Sequence, residues 1–317
     1  MSAGVPRLLD RALRDWEPTQ VLRGSLDDAH ALLSSVHSAA VLTGAGVSTA
    51  SGVPDYRGPR AQRGRPIQYQ QFIADAESRR RYWARAYQGW AVMGHADPNP
   101  THLALARWEQ LSWPCSLTGL ITQNVDGLHR EAGSQEVVEL HGRIHEVVCL
   151  DCGQLTDREE MQQRMAAANP GLGTGLAVGH PEIRPDGDAV VERWADFVVP
   201  PCLACGGRLK PNVVYFGEPV PRERVARCRE WVDRSEALVV AGSSLSVMSG
   251  LRFVRQAAAR GIPVVIVNHG ATPGRRVGHD QAGRPGPASP AGPRRPQASR
   301  RLNPRPRTRR PRPRQTR

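Results

Sequence analysis

The chain has 317 residues, enough for about two domains and for a core that needs no disulfides. Its formal charge of +13 sits in residues 275–317, where 14 arginines accompany a single acid, Asp280. The first 274 residues carry 29 basic and 29 acidic side chains, so the excess belongs to a tail and a strongly basic, nucleic-acid-binding body is excluded.

No apolar run approaches the ~20 residues of a membrane span. The opening residues lack the apolar stretch of a secretory signal and carry Asp10, Asp15 and Glu17, so a cytoplasmic location is expected. Lys210 is the one lysine beside 42 arginines, a bias that GC-rich coding DNA produces, and a bacterial source is inferred.

Residues 1–25 read as an amino-terminal extension. Leu26, Ala29, Leu32, Leu33 and Val36 fit one helical face and lead into the short apolar run Ala39–Leu42. Further short runs occur at Leu120–Thr122, Val137–Leu140, Val213–Phe216, Ala237–Ala241 and Val264–Val267. They are β-branched or Leu-rich without alternation, as strands of a parallel sheet covered on both faces are. Helical patterns at Arg222–Ser235 and Gly250–Arg260 lie between them, which predicts an α/β, Rossmann-like doubly wound domain over 26–148 and 207–274. Residues 55–115 read as a helical module, with helices over Arg79–Trp90 and His102–Leu111. Residues 149–206, bracketed by cysteine pairs, read as a small separate domain.

Polar and glycine residues follow each of the six runs: Gly44-Ala45-Gly46, Gln123-Asn124-Val125-Asp126, His141-Gly142, Gly217-Glu218, Gly242-Ser243-Ser244 and Asn268. Open α/β sheets bind ligands at that edge. Gly44-Ala45-Gly46-Val47-Ser48 suits either a diphosphate loop or an ordinary tight turn. His141 suits either a general base or a structural histidine, and its place at the ligand edge near Asn124 favours the base. Cys149-x2-Cys152 and Cys202-x2-Cys205 supply four thiolates on two knuckles, the donor set of a structural zinc with no open position. A redox pair or two disulfides is the alternative, and both pairs lack the context of redox folds. Cys115 and Cys228 read as buried thiols.

Taken in order, these motifs resemble the sirtuin family. The match runs from Gly44–Ser48 and Ser51–Gly58 through Thr122–His129 and Glu139–Gly142 to both cysteine pairs, Pro211–Glu218 and Gly242–Leu245. It covers roughly residues 30–270. Asp55-Tyr56-Arg57, the wide cysteine gap and Arg81–Arg85 are most similar to class II members, the mitochondrial-deacylase type and its bacterial relatives.

The resemblance implies an NAD-dependent protein-lysine deacylase that releases nicotinamide and carries the acyl group onto ADP-ribose, with one structural zinc. It assigns His141 as general base and Asn124 as the group ordering the ribose and a water. Gly44, Ala45, Gly46, Ser48, Gly242, Ser243 and Ser244 fall to the phosphates, Asn268 to the adenosine ribose, and Asp126 to the nicotinamide carboxamide. Asp55, Tyr56, Arg57 and Gln123 complete the NAD site, with Tyr56 shielding the reactive face. Val214, Phe216, Gly217, Glu218 and Val247 are implied to pair with the backbone of an acyl-lysine protein substrate. Succinyl-specific members carry a tyrosine and, three residues on, an arginine where the alignment sets Arg85 and Gln88, so a dedicated desuccinylase is not expected. Arg81, Arg85 and the neighbouring aromatics form either an unusual acyl pocket or a solvated basic face. ADP-ribosyl transfer, NAD hydrolysis and an inactive NAD-binding remnant are the alternative functions.

Residues 275–317 hold 14 Arg and 9 Pro with Val277 and Leu302 as the only large apolar residues, so disorder is expected. Where the resemblance calls for a last strand, codons compatible with Arg275–Gly283, read one base later, encode Asp-Glu-Trp-Ala-Thr-Ile-Lys-Leu-Asp. The tail therefore reads as a frameshift product, lacking the last strand and adenine wall, or else as a nucleic-acid-binding arm.

Overall fold

The computed structural model describes residues 24–55, 67–172, 194–268 and 280–281, all within one unit that runs to Arg284. The first helix, α1 (Leu26–Ser34), starts at a capping box in which the Ser25 hydroxyl accepts from the Asp28 amide and Asp28 accepts from the Ser25 amide. It feeds β1 (Ser38–Thr43), the centre of a parallel sheet. β1 pairs on one side with β2 (Ser116–Thr122), which pairs in turn with β3 (Val137–Glu139). On its other side lie β7 (Ala237–Ala241), β8 (Val264–Val267) and β9 (Asp280–Gln281), all parallel.

The expectation of no last strand is corrected at two residues. Asp280 and Gln281 pair with Val265 and Ile266, since the edge of β8 offers unpaired backbone groups to whichever chain follows. The rest of the tail lies outside the described residues.

Alternate residues of β1 serve opposite layers. Ala40 and Leu42 join a core with Trp231 and Val232 of α7 (Arg222–Arg234) and with Leu251, Phe253 and Val254 of α8 (Met248–Ala259). Ala39 and Val41 join Ala29, Leu33 and Leu105, the last from α4 (Pro100–Leu111). Both faces are dry, which is why these strands read as continuous apolar runs.

A second, antiparallel sheet sets β4 (Gly142–Cys149) between β5 (Leu155–Asp157) and β6 (Leu209–Val213). Here the run expected at Val213–Phe216 is displaced: its strand lies earlier and pairs with β4 rather than with the parallel sheet. The cause is the cysteine knuckles. They must face each other, so Leu209 emerges opposite Cys149 and the chain returns antiparallel to β4. This sheet shares a third core with the helical module, α2 (Tyr69–Ala74) and α3 (Ala76–Met93), and with α6 (Arg158–Ala168). α5 (Leu128–Glu131) caps the loop after β2.

Candidate functional site

Backbone hydrogen bonds stitch the strand ends into one rim. The Gly242 amide donates to Val267 O, Gly44 to Ala241 O, Gln123 to Thr43 O, and Leu140 to Thr122 O, at 2.9–3.1 Å. The Val214 amide donates to His141 O at 2.7 Å. The candidate residues Gly44–Ser48, Gln123–Asp126, His141, Val214 and Gly242–Ser244 thus lie along one edge, with Asn268 directly after β8. Asp55 follows the turn at Thr49–Ser51, and Tyr56 and Arg57 lie outside the described residues.

Two glycine turns press together at the centre. The Gly46 amide donates to Gly242 O at 2.9 Å, and a Cβ on Gly46 would stand 2.7 Å from that oxygen. Gly242 adopts φ +59°, and its Cβ would stand 2.5 Å from the Val47 nitrogen. The two turns therefore meet backbone to backbone with no room for a Cβ between them, and this glycine-rich cradle at the strand ends fits the diphosphate of a dinucleotide.

Ser48 is fully buried and organises the loop after β2. Its Oγ donates to Asp126 Oδ2 at 2.7 Å and accepts from Asn124 Nδ2 at 2.9 Å. Asn124 Nδ2 also reaches Gly44 O at 3.2 Å. Sequence reasoning did not anticipate Asn99, His102 or His129 here. The Asn99 amide donates to His102 Nδ1, leaving His102 Nε2 to donate to Ser48 Oγ at 3.3 Å. Asn99 Nδ2 also holds Val47 O at 2.7 Å. His129 meets the Thr43 hydroxyl at 2.9 Å and packs edge-on against His102. Burial lowers the pKa of both rings, that of His129 to about 3, with His102 adding to the effect on His129. The signal available in sequence was Asn99-Pro100, a helix-start pair with His102 at the third helical position.

His141 is held at both ring nitrogens. Nδ1 lies 2.8 Å from Gln123 O, which only accepts, so Nδ1 carries the proton and Nε2 the lone pair. Nε2 lies 2.8 Å from Ser249 Oγ. Burial lowers the His141 pKa, opposed by the Gln123 carbonyl and reinforced by Arg224 and Arg252, so the ring is neutral near pH 7 and able to take a proton. Gln123 also reaches the cradle, since its Oε1 accepts from Ser243 Oγ at 2.6 Å.

Phe216 stands 38% exposed beyond β6, and its carbonyl accepts from the Tyr69 amide. Gly217 turns at φ +83°, and Val247 precedes α8 as its N-cap. Glu218 turns inward, toward Lys210 and the Tyr215 amide. The aromatics beside Arg81 and Arg85 also face inward. Trp83 and Trp90 pack on the Arg158 guanidinium at 5.5 and 4.5 Å, while Arg81 is exposed and Arg85 half-buried.

The ligand sulfurs of Cys149, Cys152, Cys202 and Cys205 lie within 4.8 Å of one another. Cys149–Cys205 and Cys152–Cys202 are 3.5 and 3.8 Å apart, and Zn–S bonds of about 2.3 Å in a tetrahedron require about 3.8 Å. The donor set fits a closed zinc site. Cys115 and Cys228 are buried and away from it, and burial pushes the Cys228 thiol up to about 12.

The Sir2 family model matches residues 44–249. NAD-dependent protein deacetylase 1 of Streptomyces coelicolor is 49% identical over 285 residues, covering 88% of this chain and 93% of the relative. The mitochondrial NAD-dependent protein lipoamidase sirtuin-4 of Bos taurus is 46% identical over 240 residues, covering 73% and 74%. A solved Sir2 complex with a p53 peptide and NAD+ superposes with a TM-score of 0.63 at 28% identity, covering 82% of this chain and 92% of that one. The chain belongs to the Sir2 family of NAD-dependent enzymes.

Proposed function

We propose that this protein is an NAD-dependent protein-lysine deacylase in which His141 is the general base. The observation that carries the reading is the continuous path from the glycine cradle to that base: Ser243 binds the Gln123 side chain, and the Gln123 carbonyl fixes the His141 tautomer. The deacetylase and lipoamidase names of its relatives and the peptide-bound Sir2 structures support the reaction class.

NAD, when bound, supplies an electrophilic ribose carbon that accepts the acyl oxygen as nicotinamide leaves. The chain's part is to hold and to move protons. The Gly44–Ser48 and Gly242–Ser244 turns, held together by the Gly46–Gly242 hydrogen bond, border the space for the diphosphate, and Asn268 lies beyond them for the ribose. Asn124 and Asp126, pinned by the Ser48 hydroxyl, present a rigid polar floor for the nicotinamide end. His141 Nε2 takes the proton of a ribose hydroxyl, freeing that oxygen to attack the acyl carbon. Val214, Phe216, Gly217 and Val247 border the space for an extended acyl-lysine peptide. Glu218 serves this surface from beneath by holding the turn.

The test is nicotinamide release from NAD by the full chain, with and without a panel of acyl-lysine peptides, beside His141→Ala. Release that requires a peptide and falls at least a hundredfold in the variant upholds the reading. Release independent of peptide overturns it in favour of NAD hydrolysis or ADP-ribosyl transfer. Absence of release from folded, zinc-loaded protein makes the chain a binding remnant.

A further inference from the structure

Ser249 is the second residue of α8 and half-buried, and it lies outside the motifs on which the sequence resemblance rests. Its hydroxyl nevertheless lies 2.8 Å from the one nitrogen of His141 able to take a proton. In the neutral ring, Nδ1–H is committed to Gln123 O, so Ser249 Oγ–H must donate to Nε2. Once Nε2 is protonated the bond reverses, and Nε2–H donates to Ser249 Oγ. A hydroxyl serves both states, where a backbone N–H or an ammonium serves one.

The surroundings otherwise oppose the imidazolium. The charged groups acting on the ring are Arg224 of α7 and Arg252 of α8, both cationic, and the start of α8 adds a positive helix end. Among the described contacts of the ring, Ser249 Oγ alone offers an acceptor to Nε2.

We propose that Ser249 is a positioning residue for His141, one that holds the ring in its reactive tautomer and accepts from the protonated Nε2 during proton transfer. The proposal rests on the reading of His141 as base. In balance, the ribose O–H takes the place of the Ser249 hydroxyl on the single Nε2 lone pair, and the ribose O–H bond breaks with its electron pair left on oxygen. As that oxygen moves to the acyl carbon, the new Nε2–H turns to Ser249 Oγ as its acceptor. A bond to a charged donor is about twice as strong as a neutral one, so removing the hydroxyl costs the imidazolium more than the neutral ring. The ring then becomes a weaker base.

The experiment compares the wild type with Ser249→Ala and Ser249→Thr by two independent readouts. The first is the His141 ring titration, followed by NMR in the protein without NAD or peptide. The second is the pH profile of kcat with the best peptide. Expected for Ser249→Ala are a ring pKa lowered by at least half a unit and an acid limb of kcat shifted the same way. kcat should fall about tenfold with KM values within twofold. Ser249→Thr restores both. An unchanged ring titration, or a loss of kcat without any shift, overturns the proposal. If the wild type turns over no acyl peptide, the deacylase reading fails by itself, while the ring titration still decides whether Ser249 controls His141.

Discussion

Lys210 and Glu218 form a buried ion pair beneath the turn that carries Phe216 and Gly217. Lys210 Nζ stands 3.1 Å from Glu218 Oε2, and that oxygen also accepts from the Tyr215 amide at 2.8 Å. The ammonium also binds Val213 O and lies 4.8 Å from the centre of the Tyr215 ring. The single lysine of this chain is therefore a structural part, withdrawn from solvent, as suits a protein proposed to act on the lysines of others.

Lys210→Met leaves the Glu218 carboxylate and Val213 carbonyl short of their donor. A loss of about 2–4 kcal/mol in urea unfolding is expected, below the full value of a buried pair because Glu218 retains some solvent. Lys210→Arg should recover most of it. In the surviving folded enzyme the peptide KM should rise more than kcat falls, since the loosened turn borders the peptide.

Removal of zinc should dismantle the small sheet selectively. A strong chelator, or Cys149→Ser, is expected to abolish the single bound zinc measured by elemental analysis. Amide protection should collapse in β4–β6, where the knuckles set the register, and persist in β1 and β7. Uniform loss of protection would show that the two sheets fold as one unit.

Acid should destabilise the protein through His129. Its ring is held neutral down to about pH 3 when folded, whereas an unfolded histidine takes its proton near 6.5. The unfolded chain thus binds more protons throughout that window, and stability falls as pH drops from about 6.5 toward 3. The single group accounts for roughly 4 kcal/mol at the lower limit. His129→Gln keeps a polar partner for Thr43 and should flatten the slope of unfolding free energy against pH below 6.5; an unchanged slope would refute the assignment.

Gly242→Ala forces a Cβ to within 2.5 Å of the Val47 nitrogen at φ +59°. The two turns must part, so the KM for NAD should rise at least tenfold, with a stability loss of about 1–3 kcal/mol. Equal NAD dependence in the variant would remove these turns from the dinucleotide site.

Much of this was legible along the chain because the signals are local. β1, β7 and β8 are buried on both faces and so announce themselves as short apolar runs, and each glycine turn follows its strand directly. The four cysteines could be read because a tetrahedral thiolate site needs two tight knuckles whatever lies between them. The stretch Val213–Phe216 misled for the same local reason. Its composition suits a strand of either sheet, and the docking of distant knuckles made the choice.

The sequence by itself determined the alternation of strands and helices, the zinc ligands and the candidate base, since backbone propensity, burial pattern and metal chemistry act over a few residues. Tertiary structure alone decided what touches these groups. Ser249 reaches His141 across 108 positions, His102 reaches Ser48 across 54, and Asp280–Gln281 joins β8 from a segment whose composition promises no strand. Hydrogen bonds between side chains depend on the packing of whole elements, so the reactive state of His141 is a property of the fold rather than of its motif.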